Sequence, residues 1–368
     1  MRFKAAVLHA VGGALEIEQI EATALKPGDV LVRVHASGLC HTDLEVIQGA
    51  LVYPLPIVLG HEGAGVVEAV GDGVSLVKPG DHVVCSWNPS CGHCFHCDRG
   101  QPILCEQFTA TQPKGHLLDG GSRLSVKGGK LHHFSEVSSH AEYCILPESG
   151  VVAVPREIPF DRACLIGCGV MTGVGAVTNI ADVPIGASVA VFGVGAVGLN
   201  VVQGARLAGA EPIIAIDVNQ ARLELAKALG AHEVVDAGKV DAVARVRALT
   251  RGRGADYVFE AAGIVHTLAP AIEATRAGGM AVLLGKTNVD AQVQLRWGSL
   301  MGEKRITRSS YGGARPRRDF PLLARAYLDG RLKLDELISR RLELSQINDG
   351  FAAMARGEVV RAVVSFAH

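Results

Sequence analysis

ASVAVFGVGAVG (residues 187–198) is a short apolar run that closes on a cluster of glycines. Such a run suits a strand buried on both faces of a parallel sheet. Gly193-Val194-Gly195-Ala196-Val197-Gly198 then reads as a G-x-G-x-x-G turn feeding a helix. Gly193 permits the tight turn, Gly195 lets a pyrophosphate approach the backbone, and Gly198 lets helix and strand pack. The helix N-terminus offers N–H groups to the phosphates. A glycine turn shaped by packing alone is the competing explanation, and context weighs against it. A helical stretch (198–209) leads into a strand, PIIAID (212–217), and Asp217 ends that strand about 20 residues beyond the last glycine. A carboxylate there accepts ribose hydroxyls and repels a 2′-phosphate, so NAD is expected over NADP. Arg222, one turn into the next helix, is placed to reach the ribose or to stand solvated.

Outward from this motif the strand–helix alternation continues. A helix is expected at 219–230, with Asn219 as its N-cap and Gly230 just past its end. Strands follow at 233–236, 255–261, 280–285 and 305–310, with helices at 239–249 and 265–276 between them. This alternation predicts an α/β unit with a doubly wound parallel sheet of Rossmann type. Residues 1–160 differ: short alternating strands such as DVLVRVHA (29–36) and AGVVEAVG (64–71) are separated by turns such as Pro27-Gly28-Asp29 and Pro79-Gly80-Asp81. They predict a β-rich domain. The tail after residue 312 is too short for a core of its own and is expected to return to that domain. The expected division is 1–170 with 313–368 for the β-rich domain, and 171–312 for the NAD-binding domain.

Composition narrows the function. The 368 residues carry Lys+Arg 36 against Asp+Glu 37, a net charge of −1, which gives no electrostatic case for nucleic acid or an anionic membrane. Residues 163–181 and 183–205 lack Asp, Glu, Lys and Arg, but glycines interrupt them, and a buried strand with tight turns is expected rather than a membrane span. The N-terminus lacks a secretory pattern, so the expected location is cytoplasmic.

Four of the nine cysteines, Cys91, Cys94, Cys97 and Cys105, follow a C-x2-C-x2-C-x7-C pattern. Four thiolates at this spacing close a tetrahedral zinc site with no open position. His93 and His96 lie between them and are read as loop residues. Cys40, His61 and Cys168 are scattered, each within two residues of a glycine. Two thiolates and an imidazole would leave zinc one open position, as a catalytic site requires. Spacing alone cannot join them.

The chain resembles the zinc-dependent medium-chain alcohol dehydrogenases, in particular the long-form, animal and class III-like subgroup. GLCHTD (38–43), GHEGAGVVEAVG (60–71), the four-cysteine lobe, LxDGxxR (117–123), HHF (132–134), GCGVMTG (167–173), GVGAVG (193–198) and VRAVVSF (360–366) carry the resemblance in family order over essentially the whole chain. It implies a Rossmann domain joined to a β-rich, GroES-like catalytic domain, with two zinc ions per chain. Cys40, His61 and Cys168 would hold the catalytic ion, and the four-cysteine lobe the structural one. Glu62 would stand beside the catalytic metal, Asp43 would orient the ligand histidine, and Thr42 would take the substrate proton. His41 and Arg361 would touch the cofactor pyrophosphate, Thr172 would face the nicotinamide, and Trp87 and Leu51 would line an apolar substrate pocket. The implied activity is reversible NAD-dependent oxidation of aromatic or aliphatic primary alcohols to aldehydes, through zinc-alkoxide formation and hydride transfer, in a homodimer or homotetramer.

Departures from the family pattern bear on the substrate. Glu45 stands where animal members often end the proton relay with histidine, so Glu45 or water would finish it. Glutathione-dependent formaldehyde dehydrogenases carry a basic anchor where this chain has Thr109, and the acidic residues expected after GLCHTD are missing from QGALVYPLP (48–56). These absences favour simple alcohols over a glutathione adduct. Lys286 replaces a small apolar residue near the nicotinamide. Non-catalytic zinc and nucleotide binding, as in a redox sensor, is the alternative from another class.

Overall fold

A computed structural model describes residues 1–367. The chain divides into two compact units, one comprising Met1–Cys168, Arg315–Gly330 and Leu334–His368, the other Gly169–Ala314 and Arg331–Lys333. These boundaries fall two residues from the expected ones on either side, and a short piece of the tail, Arg331–Lys333, groups with the second unit. There Lys333 exchanges backbone hydrogen bonds with the Gln203 side chain, at 2.8 and 3.0 Å.

In the second unit six strands form a parallel sheet, in the spatial order Glu233–Asp236, Ile213–Asp217, Val189–Phe192, Ala255–Glu260, Thr275–Leu283 and Arg305–Arg308. The run 189–192 is central and buried on both faces, which is why it shows no polar alternation. Ala196–Leu207 follows it as a helix, and Asn219 caps the next helix, Gln220–Leu229, by accepting the Arg222 N–H at 3.1 Å.

The first unit contains a closed barrel of short strands, including Arg2–Leu8, Ile57–Val58 and Gly129–His133, and a second sheet built on Asp29–Gly38. Glu62–Val70 pairs antiparallel with one side of Asp29–Gly38, setting Gly38 opposite Glu62. The last strand, Arg361–Ser365, returns to pair with Asp29–Gly38, Val363 opposite Gly38. This register brings residues near 38, 62 and 361 together from three distant parts of the sequence.

One expectation fails. Residues 163–181 are not a strand with turns but lie in a helical stretch, Phe160–Ala181, with π-turns at Ile166–Val170 and Ala176–Ala181. The glycines do not break it because they are packing positions: a Cβ on Gly173 would lie 2.5 Å from the Val197 carbonyl oxygen, and one on Gly175 the same distance from that of Gly312. This stretch is long and apolar enough to cross a membrane, yet 72% of its apolar window is buried inside the protein, as in a core helix.

Candidate active site and metal centres

The Cys91–Cys105 lobe builds its site locally. The Sγ atoms of Cys91, Cys94, Cys97 and Cys105 lie within 4.8 Å of one another, and Cys91 Sγ is 4.0 Å from Cys97 Sγ. Zinc–thiolate bonds of ~2.3 Å imply tetrahedral S–S edges of ~3.8 Å, so the four sulfurs fit one zinc ion. Backbone N–H groups of Cys97 and Glu106 hold the Cys94 thiol down to about 6, and the Cys91 N–H donates to Cys105 Sγ at 3.3 Å. His93 Nδ1 turns to the Cys91 carbonyl, 2.8 Å, and His96, which lies in the short helix Phe95–Asp98 rather than in a loop, places Nδ1 3.4 Å from Gln101.

The second centre is assembled by the fold. Cys40 is the N-cap of the short helix His41–Ile47, His61 immediately precedes the strand Glu62–Val70 that Glu62 opens, and Cys168 lies in a π-turn. Their ligand atoms also fall within 4.8 Å of one another. Asp43, fully buried, accepts N–H groups from Cys40 (3.2 Å) and Gly60 (2.9 Å) and places Oδ2 3.2 Å from His61 Nδ1. Burial opposes charge on His61, but Asp43 and then Cys40 outweigh it and hold the imidazole well above its usual range. A hydrogen bond from Cys168 holds the Cys40 thiol well below the usual range. Two thiols, one of them readily ionised, and an oriented imidazole form a donor set that suits zinc.

Glu62 is fully buried, and burial pushes its carboxyl up to about 7 despite Arg361, whose Nη2 lies 3.0 Å from Oε1. Arg361 is itself buried, and Nη1 donates to the Leu39 carbonyl at 3.0 Å. Its ion pair with Glu62 was not foreseen from sequence; it follows from the shared register of the three strands. Thr42 Oγ1 stands 3.8 Å from Cys40 Sγ. His41 is exposed and Glu45 half-buried on the same short helix. Leu51 packs half-buried on the cluster containing Leu44, Tyr53 and Phe134. Trp87 packs against the valine core of the second sheet, with the Phe108 ring centroid at 6.4 Å. Phe134 packs on both His61 and Tyr53, with centroids at 5.5 and 5.0 Å, a placement that HHF alone does not reveal.

In the second unit the glycine turn fits a dinucleotide. Gly193 has φ +84°, and a Cβ there would lie 2.5 Å from the Ala262 nitrogen. At Gly195 a Cβ would meet no protein atom within 4 Å, so the side facing the turn is open to a ligand. Asp217 accepts the Val194 N–H at 2.8 Å and the Val218 N–H at 2.8 Å, which fixes its carboxylate at the strand end. Arg222 is half-buried near the start of its helix, Thr172 half-buried in Met171–Gly175, and Lys286 exposed after the strand 275–283. The remaining thiols, Cys85, Cys144 and Cys164, are fully buried.

A nucleotide turn in one unit and two zinc-competent donor sets in the other define a zinc-dependent, nucleotide-using dehydrogenase. Residues 26–156 match the alcohol dehydrogenase GroES-like domain, and residues 196–328 the zinc-binding dehydrogenase domain. The chain is 41% identical to an alcohol dehydrogenase class-3 of Cereibacter sphaeroides, and 40% identical to an S-(hydroxymethyl)glutathione dehydrogenase of Paracoccus denitrificans, with full coverage of both chains in each case. Two crystal structures superpose over their full length. One is an alcohol dehydrogenase zinc-binding domain protein from Burkholderia ambifaria, at TM-score 0.96 and 39% identity. The other is the benzyl alcohol dehydrogenase of Acinetobacter calcoaceticus, at 0.95 and 33%. The chain belongs to the zinc-dependent medium-chain alcohol dehydrogenase family and is class III-like within it. It is an oxidoreductase acting on alcohol or aldehyde groups, with zinc and NAD as cofactors.

Proposed function

We propose that the chain catalyses reversible NAD-dependent oxidation at a primary hydroxyl carbon, at the centre formed by Cys40, His61 and Cys168. The observation that carries this reading is the convergence of those three donors and Glu62 within 4.8 Å, backed by the buried Asp43. Zinc bound there supplies Lewis acidity that makes an alcohol hydroxyl more acidic, and NAD is the hydride acceptor. The protein's part is positional. Asp43 fixes the ring of His61, and Arg361 holds Glu62 against the cluster. Thr42 Oγ1 receives the substrate hydroxyl proton, which leaves toward Glu45 on the same helix or to water. Gly195 and the helix behind it seat the pyrophosphate, with His41 and Arg361 as further phosphate contacts, Asp217 and Arg222 on the ribose side and Thr172 beside the nicotinamide. The four-cysteine lobe holds the structural zinc.

For the substrate, the relatives' names favour the hydroxymethyl adduct of glutathione, which reverses the order expected from sequence. A second reading, an apolar primary alcohol such as benzyl alcohol, is favoured by Thr109. Its hydroxyl is tied to the Cys105 carbonyl at 2.9 Å, and it offers no cation to a glutathione carboxylate. Trp87 and Leu51 would then line the pocket. The deciding experiment is NADH formation with formaldehyde plus glutathione, set against benzyl alcohol, a medium-chain alkanol and ethanol. Turnover that requires glutathione establishes the adduct. Efficient turnover of benzyl alcohol without glutathione establishes the second reading, and turnover of none rejects both.

A homodimer or homotetramer is proposed through the edge strand Arg305–Arg308, beside which Trp297 and Met301 are 77% and 60% exposed. Light scattering that finds only monomer rejects it. A cytoplasmic location is part of the same reading.

A further inference from the structure

His140 is fully buried behind Asp43, and the chemistry above makes no use of it. Its Nδ1 lies 2.9 Å from Ser37 Oγ, which is 2.7 Å from Ser139 Oγ. Its Nε2 has no hydrogen-bond partner and lies 4.0 Å from Asp43 Oδ1. The backbone fixes this approach. The His140 N–H donates to the Leu59 carbonyl at 3.0 Å, and the Ser139 N–H to that of Gly60 at 2.9 Å. Gly60 has φ +93°, and a Cβ there would lie 2.7 Å from His140 Nδ1, so only glycine admits the ring so close to the segment carrying His61.

We propose that His140 is a positioning residue for the Cys40–His61–Cys168 metal centre, acting through Asp43 on the orientation of His61. This rests on the reading that those three residues hold the catalytic zinc. Burial outweighs the pull of Asp43 and pushes the His140 imidazole down to about 4, so the ring is neutral near neutral pH. A neutral imidazole has one N–H and one accepting nitrogen. The serine hydroxyl pair can supply a proton to Nδ1, which leaves the N–H on Nε2, facing the carboxylate. At 4.0 Å this is no hydrogen bond, but it is an oriented dipole facing a carboxyl group, with both groups fully buried. Asp43 thereby sits between two imidazoles: His61 Nδ1 lies 3.2 Å from Oδ2, and the His140 ring faces Oδ1 from behind. The carboxylate's grip on His61 Nδ1 leaves the other ring nitrogen for the metal.

The test compares His140→Phe, which keeps the packing but removes the donor, with His140→Gln, whose amide N–H reaches the Nε2 position. Zinc release to a chelator is followed separately at the two centres, together with the visible spectrum of protein carrying cobalt at the catalytic centre. His140→Phe is expected to release the catalytic zinc on the order of tenfold faster and to shift the cobalt bands. His140→Gln should restore most of both, and the four-cysteine zinc should be unaffected in either. If His140→Phe does not fold, Ser37→Ala, which removes the partner fixing the tautomer, is expected to act in the same direction more weakly. Unchanged release and spectra in these variants overturn the proposal, as does equal loss in the Phe and Gln proteins, which would mean packing alone. A wild-type protein holding only one zinc per chain, at the four-cysteine lobe, would instead overturn the reading on which the proposal rests.

Discussion

The lobe at Cys91–Cys105 and the cluster around Cys40 use the same kind of donor on opposite plans. The lobe takes all four thiols from fifteen consecutive residues, closes them with local backbone N–H groups and leaves three of the four half-exposed. The cluster takes its donors from a helix N-cap, the start of a strand and a distant π-turn; Cys40 and His61 are buried with Asp43, Glu62 and Arg361, and Cys168 is half-buried. A local site needs only a loop of the right length. A dispersed one needs the sheet register to be correct first, and it can then hold charged groups in the surroundings that reactive chemistry requires.

The sharpest way to break this contrast is to remove one thiol from each site. Cys40→Ala is expected to lower kcat/KM by at least ~10³-fold, since Lewis-acid activation of the hydroxyl is lost. It should leave one zinc per chain and a melting temperature close to that of the parent. Cys97→Ala should also leave one zinc, but its main effect should be on the lobe, which becomes protease-sensitive and lowers the melting temperature by several degrees, on the order of 1–2 kcal/mol or more. Metal analysis with limited proteolysis separates the two. Equal loss of activity and stability in both variants would mean that the two sites are not separable.

A smaller effect is expected in the other unit. Asp217→Ala removes the carboxylate at the end of the strand 213–217, and with it the acceptor for the Val194 N–H. The ratio of kcat/KM for NAD to that for NADP should fall about tenfold or more, partly through poorer NAD use. An unchanged ratio would show that Asp217 serves the turn and not the ribose.

Legibility from sequence followed the same division. The glycine turn, the strand ending in Asp217 and the four-cysteine lobe could be read because their chemistry is local and their spacing is fixed by a strand length or a loop. Cys40, His61 and Cys168 came only with the family resemblance, since no spacing rule links residues brought together by a sheet. The Glu62–Arg361 pair and the approach of His140 to Asp43 were not legible at all, as both depend on register. Over 163–181 the glycines look like helix breakers in the sequence, yet the stretch is helical. At Gly173 and Gly175 they are contact points with backbone from residues 197 and 312, information that lies outside the stretch itself.

The smallest effect concerns a residue that links the two regions. Thr111 ends the helix that follows Cys105, and its hydroxyl donates to Glu136 Oε1 at 3.0 Å, two residues beyond the Phe134 that packs on His61. Glu136 is fully buried, its Oε2 has no hydrogen-bond partner, and burial pushes its carboxyl from 4.5 up to about 8. Well below 4.5 the folded and unfolded chains are both protonated at this residue, and it costs nothing. As pH rises from there toward 8 the unfolded chain releases a proton that the folded chain keeps, so stability is progressively lost until the folded carboxyl also ionises. Glu136→Gln keeps an oxygen for Thr111 and removes the titration. It should raise stability near pH 7 by up to about 3 kcal/mol, seen as a gain of a few degrees in melting temperature, and change it little near pH 4. If the gain is the same at both pH values, the carboxyl is not held neutral by burial. If thermal unfolding near pH 7 instead shows the lobe melting earlier in the variant, the Thr111–Glu136 contact ties the two regions together more tightly than their opposite plans suggest.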